Sequence, residues 1–512
     1  MRPDQLARTL QEFLADARSA AIYESGEELF HFSDDSSSAR YSISGDEKKS
    51  LLHLWSDERN LVRRILEAEV RKDSLLLHAQ RFGHSKPVCL EIFRERDRRA
   101  PSARRAARSA YNVLLTKVLQ RNFPDLGIAR LTIAMDLERS FGPTYSRGLL
   151  RRGRSAIAVL GVNAQETQTS VDAALTFGLL WLDLCRQRET RAAVEALMLI
   201  VPRGTSCVVR ERMASLNHAA ARFELYELDE REHSLTALDC ADRGNMATRL
   251  VRCVDQAAAC ERFAASVERV LRLAPALRQR LSLHAASPAE LSFRLHGLEF
   301  ARARLAQGAA LRSEMEISFG TGAHETLLTA ENEVLFTELM TRLAAARRLD
   351  GDRRHPLWRM HPERWLEAKV LEDLAAIDST LEGSLAYSQV PAFSASDRAM
   401  IDVLTCTREG RLAVIELKAD EDIHLPMQGL DYWTRVAWHH ARGEFREYGY
   451  FPQCALAPQP PLLILVAPAL HIHPATDTLL RYLSPEVEWT LAGIDERWRE
   501  GVRVVFRKRS GG

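Results

Sequence analysis

A multidomain α/β protein is the fold that this sequence predicts, and three observations carry the prediction. The chain has 512 residues, too many for one hydrophobic core. Buried-looking strands alternate with helices over roughly 100–235. A second run of strands and helices fills the last stretch, from about 362 to 510. One or two α/β or α+β domains are therefore expected ahead of a C-terminal mixed sheet flanked by helices. A composition of 46% hydrophobic and 27% charged residues is that of a folded globular chain.

The elements follow in order. Residues 1–45 read as a short amphipathic helix and a polar segment, with Asp34-Asp35-Ser36-Ser37-Ser38 as a loop. Residues 46–240 read as an α/β domain whose role the sequence leaves open, nucleic-acid or partner binding being the options. Its early part suggests a helix and then strands, among them Ser74–Ala79 and Pro87–Phe93. Its later part has buried strands at Ser155–Val162 and Leu197–Pro202, the apolar helix Ser170–Arg186, and the alternating strand Phe223–Leu228. Residues 245–290 are rich in Ala, Leu and Arg and read as helices, so 241–350 is expected to be a mostly helical connecting region, with a strand pair near Leu291–Arg294 and Met315–Phe319. Leu349 to Pro356 is the clearest linker.

Charge and cysteine usage exclude several classes. A net charge of +1 provides no global field for nucleic acid, so any affinity must be local. Arg94 to Arg108 and Arg147, Arg151, Arg152 and Arg154 are the two basic clusters. The first has Glu95 and Asp97 beside it and suits a solvated face. The second has no local acids, so Arg151, Arg152 and Arg154 are candidate nucleic-acid contacts. The eight cysteines form no CxxC pair, which predicts free thiols in a reducing compartment. The first 20 residues contain no unbroken apolar stretch, and Ala173–Leu184 is too short to span a bilayer. A cytoplasmic location without a membrane partner is expected. There is no Walker A sequence, and Ser318-Phe319-Gly320-Thr321-Gly322 is too short to be a phosphate loop.

The C-terminal region carries the chemistry. Pro362 and Glu363 open a helix that contains Glu367. Strands are expected at Gln389–Phe393, Ala399–Leu404 and Leu412–Leu417, a helix at Met427–His439, and strands at Pro461–Pro468 and Val502–Phe506. Asp402 lies in the second strand. Glu416-Leu417-Lys418 ends the third, with Glu416 and Lys418 on one face. Gln428 and Tyr432 lie one helical turn apart. An isolated Asp or Glu-x-Lys is commonplace on exposed strands. Here the apolar flanks of Glu416 make its burial costly unless something compensates the charge.

This order of elements, with Asp402, Glu416, Lys418, Gln428 and Tyr432 in place, resembles the PD-(D/E)xK nuclease superfamily, and within it the RecB-like and NucS-type endonuclease domains. Ile401 stands where the superfamily name has Pro. The resemblance covers about 362–510. It implies a restriction-endonuclease-like sheet and Mg²⁺-dependent phosphodiester hydrolysis, with Mn²⁺ able to substitute. DNA is favoured over RNA, endonuclease over exonuclease action, and a role in repair or defence is implied. Asp402, Glu416 and the Leu417 carbonyl suit a hard cation that prefers oxygen. Lys418 suits the attacking water or the phosphorane charge. Glu367 is the expected helix acid, over Glu363 and Glu372, and a further metal ligand, directly or through water. Gln428 and Tyr432 are expected to contact the phosphate backbone or brace the site. Rival readings are an inactive nucleic-acid-binding or scaffold protein, and a ribonuclease. Residues 130–230, including Glu138, loosely repeat the C-terminal order without a Glu-x-Lys. A decayed sister domain is thus one reading of them, and an unrelated α/β binding domain is preferred.

Overall fold

The computed structural model describes residues 3–14, 19–24, 27–33, 40–46, 49–55, 60–71, 74–81, 87–93, 101–136, 140–241, 246, 248–307, 313–320, 325–394 and 398–511. The chain is mixed α/β and divides into two compact units.

The first unit holds residues 1–117, 132–146 and 352–360. Helix α1 (Pro3–Leu14) precedes seven strands: β1 (Ser19–Glu24), β2 (Glu27–Ser33), β3 (Arg40–Asp46), β4 (Lys49–Trp55), β5 (Asn60–Val70), β6 (Ser74–Arg81) and β7 (Pro87–Phe93). They form one antiparallel sheet in the order β2-β1-β7-β6-β5-β4-β3. Leu6, Leu10 and Phe13 of α1 are buried with Leu52, Ile65, Leu75 and Leu90 of the sheet. Each such side chain contributes roughly 1.5–3 kcal/mol. The helix expected early in 46–120 is strand instead. An apolar run such as Leu51-Leu52-His53-Leu54 fits either conformation, and pairing with β3 and β5 decides it. The supposed polar segment before residue 45 likewise carries β1 and β2. The loop at Asp34–Ser38 lies outside the described residues.

The second unit, 118–131, 147–351 and 361–512, carries three sheets; α2 (Pro101–Asn122) and α9 (Pro356–Arg359) belong wholly or mostly to the first. After α2 come β8 (Gly127–Thr132), β9 (Tyr145–Arg152), β10 (Ser155–Val162), α3 (Gln168–Asp172), α4 (Ala174–Arg188), β11 (Ala193–Pro202), α5 (Cys207–Met213), β12 (Arg222–Asp229) and β13 (Ser234–Leu238). Their sheet runs β8-β9-β10-β11-β12-β13, with β10, β11 and β12 parallel and β13 antiparallel. Next are β14 (Thr248–Leu250), α6 (Gln256–Arg262) and α7 (Ala264–Leu273). A separate antiparallel sheet follows, of β15 (Leu281–Ser287), β16 (Glu290–Leu295), β17 (Leu298–Gln307), β18 (Ser313–Phe319) and β19 (Thr326–Leu327). The connecting region is thus not mostly helical, and β17 lies between the two strands expected to pair. Composition rich in Ala and Arg favours helix locally, but the hairpin partners override it.

Helices α8 (Glu333–Ala346), α9 (Pro356–Arg359), α10 (Pro362–Glu372) and α11 (Leu374–Ile377) lead to β20 (Tyr387–Ser394), β21 (Arg398–Cys406), β22 (Leu412–Leu417), α12 (Leu425–Ala441), α13 (Glu444–Glu447), β23 (Leu462–Pro468), α14 (Thr476–Arg481), β24 (Trp489–Ile494) and β25 (Val504–Arg509). The sheet order is β14-β20-β21-β22-β23-β24-β25. Strands β22, β23 and β24 are parallel, and the others antiparallel. Strand β14 joins from beyond the linker, a long-range pairing that no local pattern announces.

The two α/β layers touch through their helices: α4 packs on α14, and α5 on α12. Arg212 of α5 makes a two-pronged ion pair with Asp431 of α12, at 2.8 and 2.7 Å. Its guanidinium is almost wholly buried, so losing one partner strands the other charge away from water. Arg212→Ala should lower the unfolding free energy of the full chain by roughly 3–5 kcal/mol in urea titration, and the double variant Arg212→Met with Asp431→Leu should recover most of that loss.

Candidate active site

Strand β22 lies at the centre of its sheet and is buried along its whole length. Leu412, Val414 and their neighbours explain why: every position but Glu416 is apolar. Glu416 is 2% exposed. The β21–β22 register pairs Val403 with Ile415, which sets Asp402 opposite Glu416 on the same face. Two carboxylates therefore share one pocket. Burial raises the pKa of Glu416 well above the usual range, and the Asp402 charge raises it further. Burial also raises Asp402, against the Leu417 N–H that donates to its Oδ2 at 3.1 Å and against Arg364 and Lys418.

Lys418 lies just past the strand, its backbone N–H fixed on the Val466 carbonyl at 3.0 Å. Its Nζ is 3.2 Å from Glu416 Oε1, 3.7 Å from Glu363 Oε1 and 4.0 Å from Asp422 Oδ2. Burial pulls its pKa down, but Glu416 and Glu363 outweigh that and the net shift is upward. The ammonium is therefore held protonated.

The helix acid divides between two residues. Glu367 is 4% exposed and fully engaged: Oε1 accepts from Ser388 Oγ at 2.6 Å, and Oε2 accepts from Gln389 Nε2 at 2.7 Å and Arg364 Nη1 at 2.8 Å. Burial pushes its pKa up to about 7, against Arg364 and Ser388. Gln389 reaches Asp402 Oδ1 at 3.5 Å, and Arg364 approaches it at 3.8 Å. Glu367 thus braces Asp402 through these two side chains. Gln389 does this from a left-handed backbone (φ 55°), a cost of about 1–3 kcal/mol that is found where geometry serves a site. Glu363, one turn earlier, instead faces Lys418 from a half-exposed position. Glu372 pairs with Lys369 at 2.7 Å. Which turn of α10 faces the strands depends on helix docking, and spacing alone does not reveal it.

Helix α12 covers β22 and β23. It sits close because Gly429 faces Leu463 and Leu465, where a Cβ would lie 2.5 Å from a Leu465 methyl. Tyr432 is thereby brought near Glu416 and Asp402, and Gln428 lies one turn before it on the same helix. Burial, and then the Glu416 and Asp402 charges, raise the Tyr432 pKa. Among the described residues, two buried oxygens here lack any hydrogen-bond partner: Glu416 Oε2 and Gln428 Oε1. The sequence reads Asp420, Glu421 and Asp422 as a solvated turn; Asp420 and Glu421 do lie exposed, whereas Asp422 is half-buried and faces Lys418.

The basic cluster at 147–154 is not one surface. Arg147 is 2% exposed and lies 5.6 Å from the Trp181 ring centroid. Arg151 is paired with Glu189. Arg152 and Arg154 are exposed at the β9–β10 turn. Of the first cluster, Arg94 to Arg99 lie outside the described residues.

Among the described residues, no three His, Cys, Asp or Glu side chains converge as a ready metal cage. A magnesium ion does not need one. It is commonly held by one or two carboxylates, with water and substrate phosphate completing the octahedron. Asp402, Glu416 with its unpartnered oxygen, and the Leu417 backbone meet that requirement. Among the described residues, no helix is long and apolar enough to cross a membrane. Neither protein-family models nor curated protein sequences match this chain.

Proposed function

We propose that this chain is a divalent-metal-dependent nuclease with a restriction-endonuclease-like C-terminal layer, hydrolysing phosphodiester bonds with DNA as the favoured substrate. One observation supports this above all. Two buried carboxylates and a lysine crowd one sheet face, and a carboxylate oxygen there has no partner. Such an arrangement destabilises the apo fold, and a hard cation relieves it. A bound Mg²⁺ or Mn²⁺ supplies Lewis-acid polarisation of the phosphate and acidifies its water. Asp402 and Glu416 would hold it, with the Leu417 carbonyl as a further oxygen. Lys418 directs its proton-bearing Nζ at the charge that develops on the phosphoryl oxygens. Glu363, beside Lys418, keeps that ammonium charged, while Glu367, Arg364 and Gln389 orient Asp402. Gln428 and Tyr432 offer an amide and a hydroxyl to the substrate backbone.

Purified chain should cut plasmid DNA with Mg²⁺ or Mn²⁺ and not with EDTA, and Asp402→Ala should abolish cutting. Undiminished cutting by Asp402→Ala would sink the assignment. Parallel single-stranded DNA and RNA substrates decide the nucleic acid, since a site of this kind does not itself read the sugar.

A further inference from the structure

The first α/β layer repeats the C-terminal one strand for strand. In each, three strands lead by a helix to a parallel fourth strand, then a parallel fifth and an antiparallel sixth: β8 to β13 and β20 to β25. The fourth strands end alike, in Pro202 and Pro468. A glycine on the crossover helix faces two leucines of that strand in both: Gly178 against Leu197 and Leu199, Gly429 against Leu463 and Leu465. These anchors fix the correspondence. Leu160 pairs with Leu199 as Glu416 pairs with Leu465. Leu160 and Val162 therefore occupy the positions of Glu416 and Lys418. A two-residue turn, Gly153-Arg154, joins β9 to β10 and sets Arg152 opposite Ser155, which brings Arg147 to the position of Asp402. A buried arginine and two apolar side chains cannot hold a cation.

The two layers also meet as a symmetric pair does. Each second helix contacts the other layer's crossover helix. The segments after α5 and α14 form one bridge, Leu216 with Leu483. Asn217 N–H donates to Tyr482 O at 2.8 Å, and Ser484 N–H donates to Ser215 O at 2.9 Å. With Leu216 and Leu483 as equivalents, these two backbone bonds are one contact made in both directions, the mark of a two-fold interface. Ion pairs between non-equivalent positions, Arg212 with Asp431 and Arg481 with Asp183, add to the same contact.

We infer that residues 118–131 and 147–240 are a catalytically silent copy of the nuclease layer, joined to the active copy as an internal pseudo-dimer, and that the chain cuts one strand of a duplex per binding event. The second clause rests on the nuclease reading. The strands of a duplex are antiparallel and related by two-fold axes, so a two-fold nuclease can address both strands with its two sites. This chain keeps the pairing and one site, so a single backbone bond is hydrolysed: water adds to phosphorus and one P–O ester bond breaks.

Two measurements on the full chain test this. With limiting enzyme and supercoiled plasmid, nicked circles should accumulate nearly to completion before linear DNA appears; linear product formed at the same initial rate as nicked product overturns the inference. Independently of cutting, Mn²⁺ binding followed by electron paramagnetic resonance should be lost in Glu416→Gln. Tight Mn²⁺ binding retained in that variant places a cation elsewhere and overturns the silent copy. A chain that binds Mn²⁺ but leaves every nucleic acid uncut overturns the nuclease reading and the nicking with it.

Discussion

Glu416→Gln should abolish cleavage while making the metal-free protein more stable. The carboxylate is buried beside Asp402, and its pKa lies well above the ordinary value. A folded-state pKa above the unfolded one means that the native state binds the proton more tightly. Stability is thus unimpaired below the unfolded value, falls as pH rises above it, and stays reduced once pH exceeds the folded value. A neutral amide of the same shape removes that penalty. At pH 8 without metal, the variant should melt about 2–4 °C higher than wild type, on the order of 1 kcal/mol. Near pH 4.5 the two should melt together. Mg²⁺ should then raise the melting temperature of wild type, as a ligand of the native state does, and leave the variant unmoved. The loss of charge stabilisation at phosphorus amounts to several kcal/mol, so cleavage should fall on the order of 10³-fold or more. An ordinary structural ion pair with Lys418 predicts the opposite stability change, and a lower melting temperature for Glu416→Gln at pH 8 would refute the metal-site reading. This trade of stability for function is the usual signature of a site.

Glu416 and Lys418 are conspicuous in the sequence because charge is rare in an all-apolar strand, and Asp402 follows from strand spacing. Other parts of the site depend on contacts that no local pattern encodes. Docking of α10 decides that Glu363 faces Lys418 while Glu367 braces Asp402. Gln389 has no spacing rule at all, since its reach follows from a left-handed backbone inside a strand. Arg147 reads as part of a surface cluster, yet an aromatic ring lets the guanidinium lie buried. Strand β14 joins the C-terminal sheet across more than a hundred intervening residues. The strand order of the first α/β layer could be read, and its loose likeness to the last with it, but not the register. Pairing of β10 with β11 is what sets Leu160 and Val162 where the last layer has Glu416 and Lys418.

Lys418→Met should reduce turnover without removing the metal. Its main chain is pinned to Val466 and its Nζ is held by Glu416, Glu363 and Asp422, so the ammonium has one place to be. Preorganised charge of this kind stabilises what develops in the transition state more than what is present in the ground state. Loss of one such donor costs about 10²–10³-fold in kcat. At alkaline pH, where both carboxylates are ionised, the KM for a duplex and the affinity for Mn²⁺ should change little, whereas Asp402→Ala should lose both metal and activity. The pH profile separates this role from simple ion pairing. Lys418 lowers the pKa of both Asp402 and Glu416, so without it the carboxylates keep their protons to higher pH and the acid limb of activity moves upward. If Lys418 served only to keep those carboxylates ionised, alkaline pH would restore full kcat to the methionine variant. If it acts on the phosphoryl charge, the plateau stays depressed at every pH, and Lys418→Arg, with a planar fork in place of a point charge, recovers only part of it.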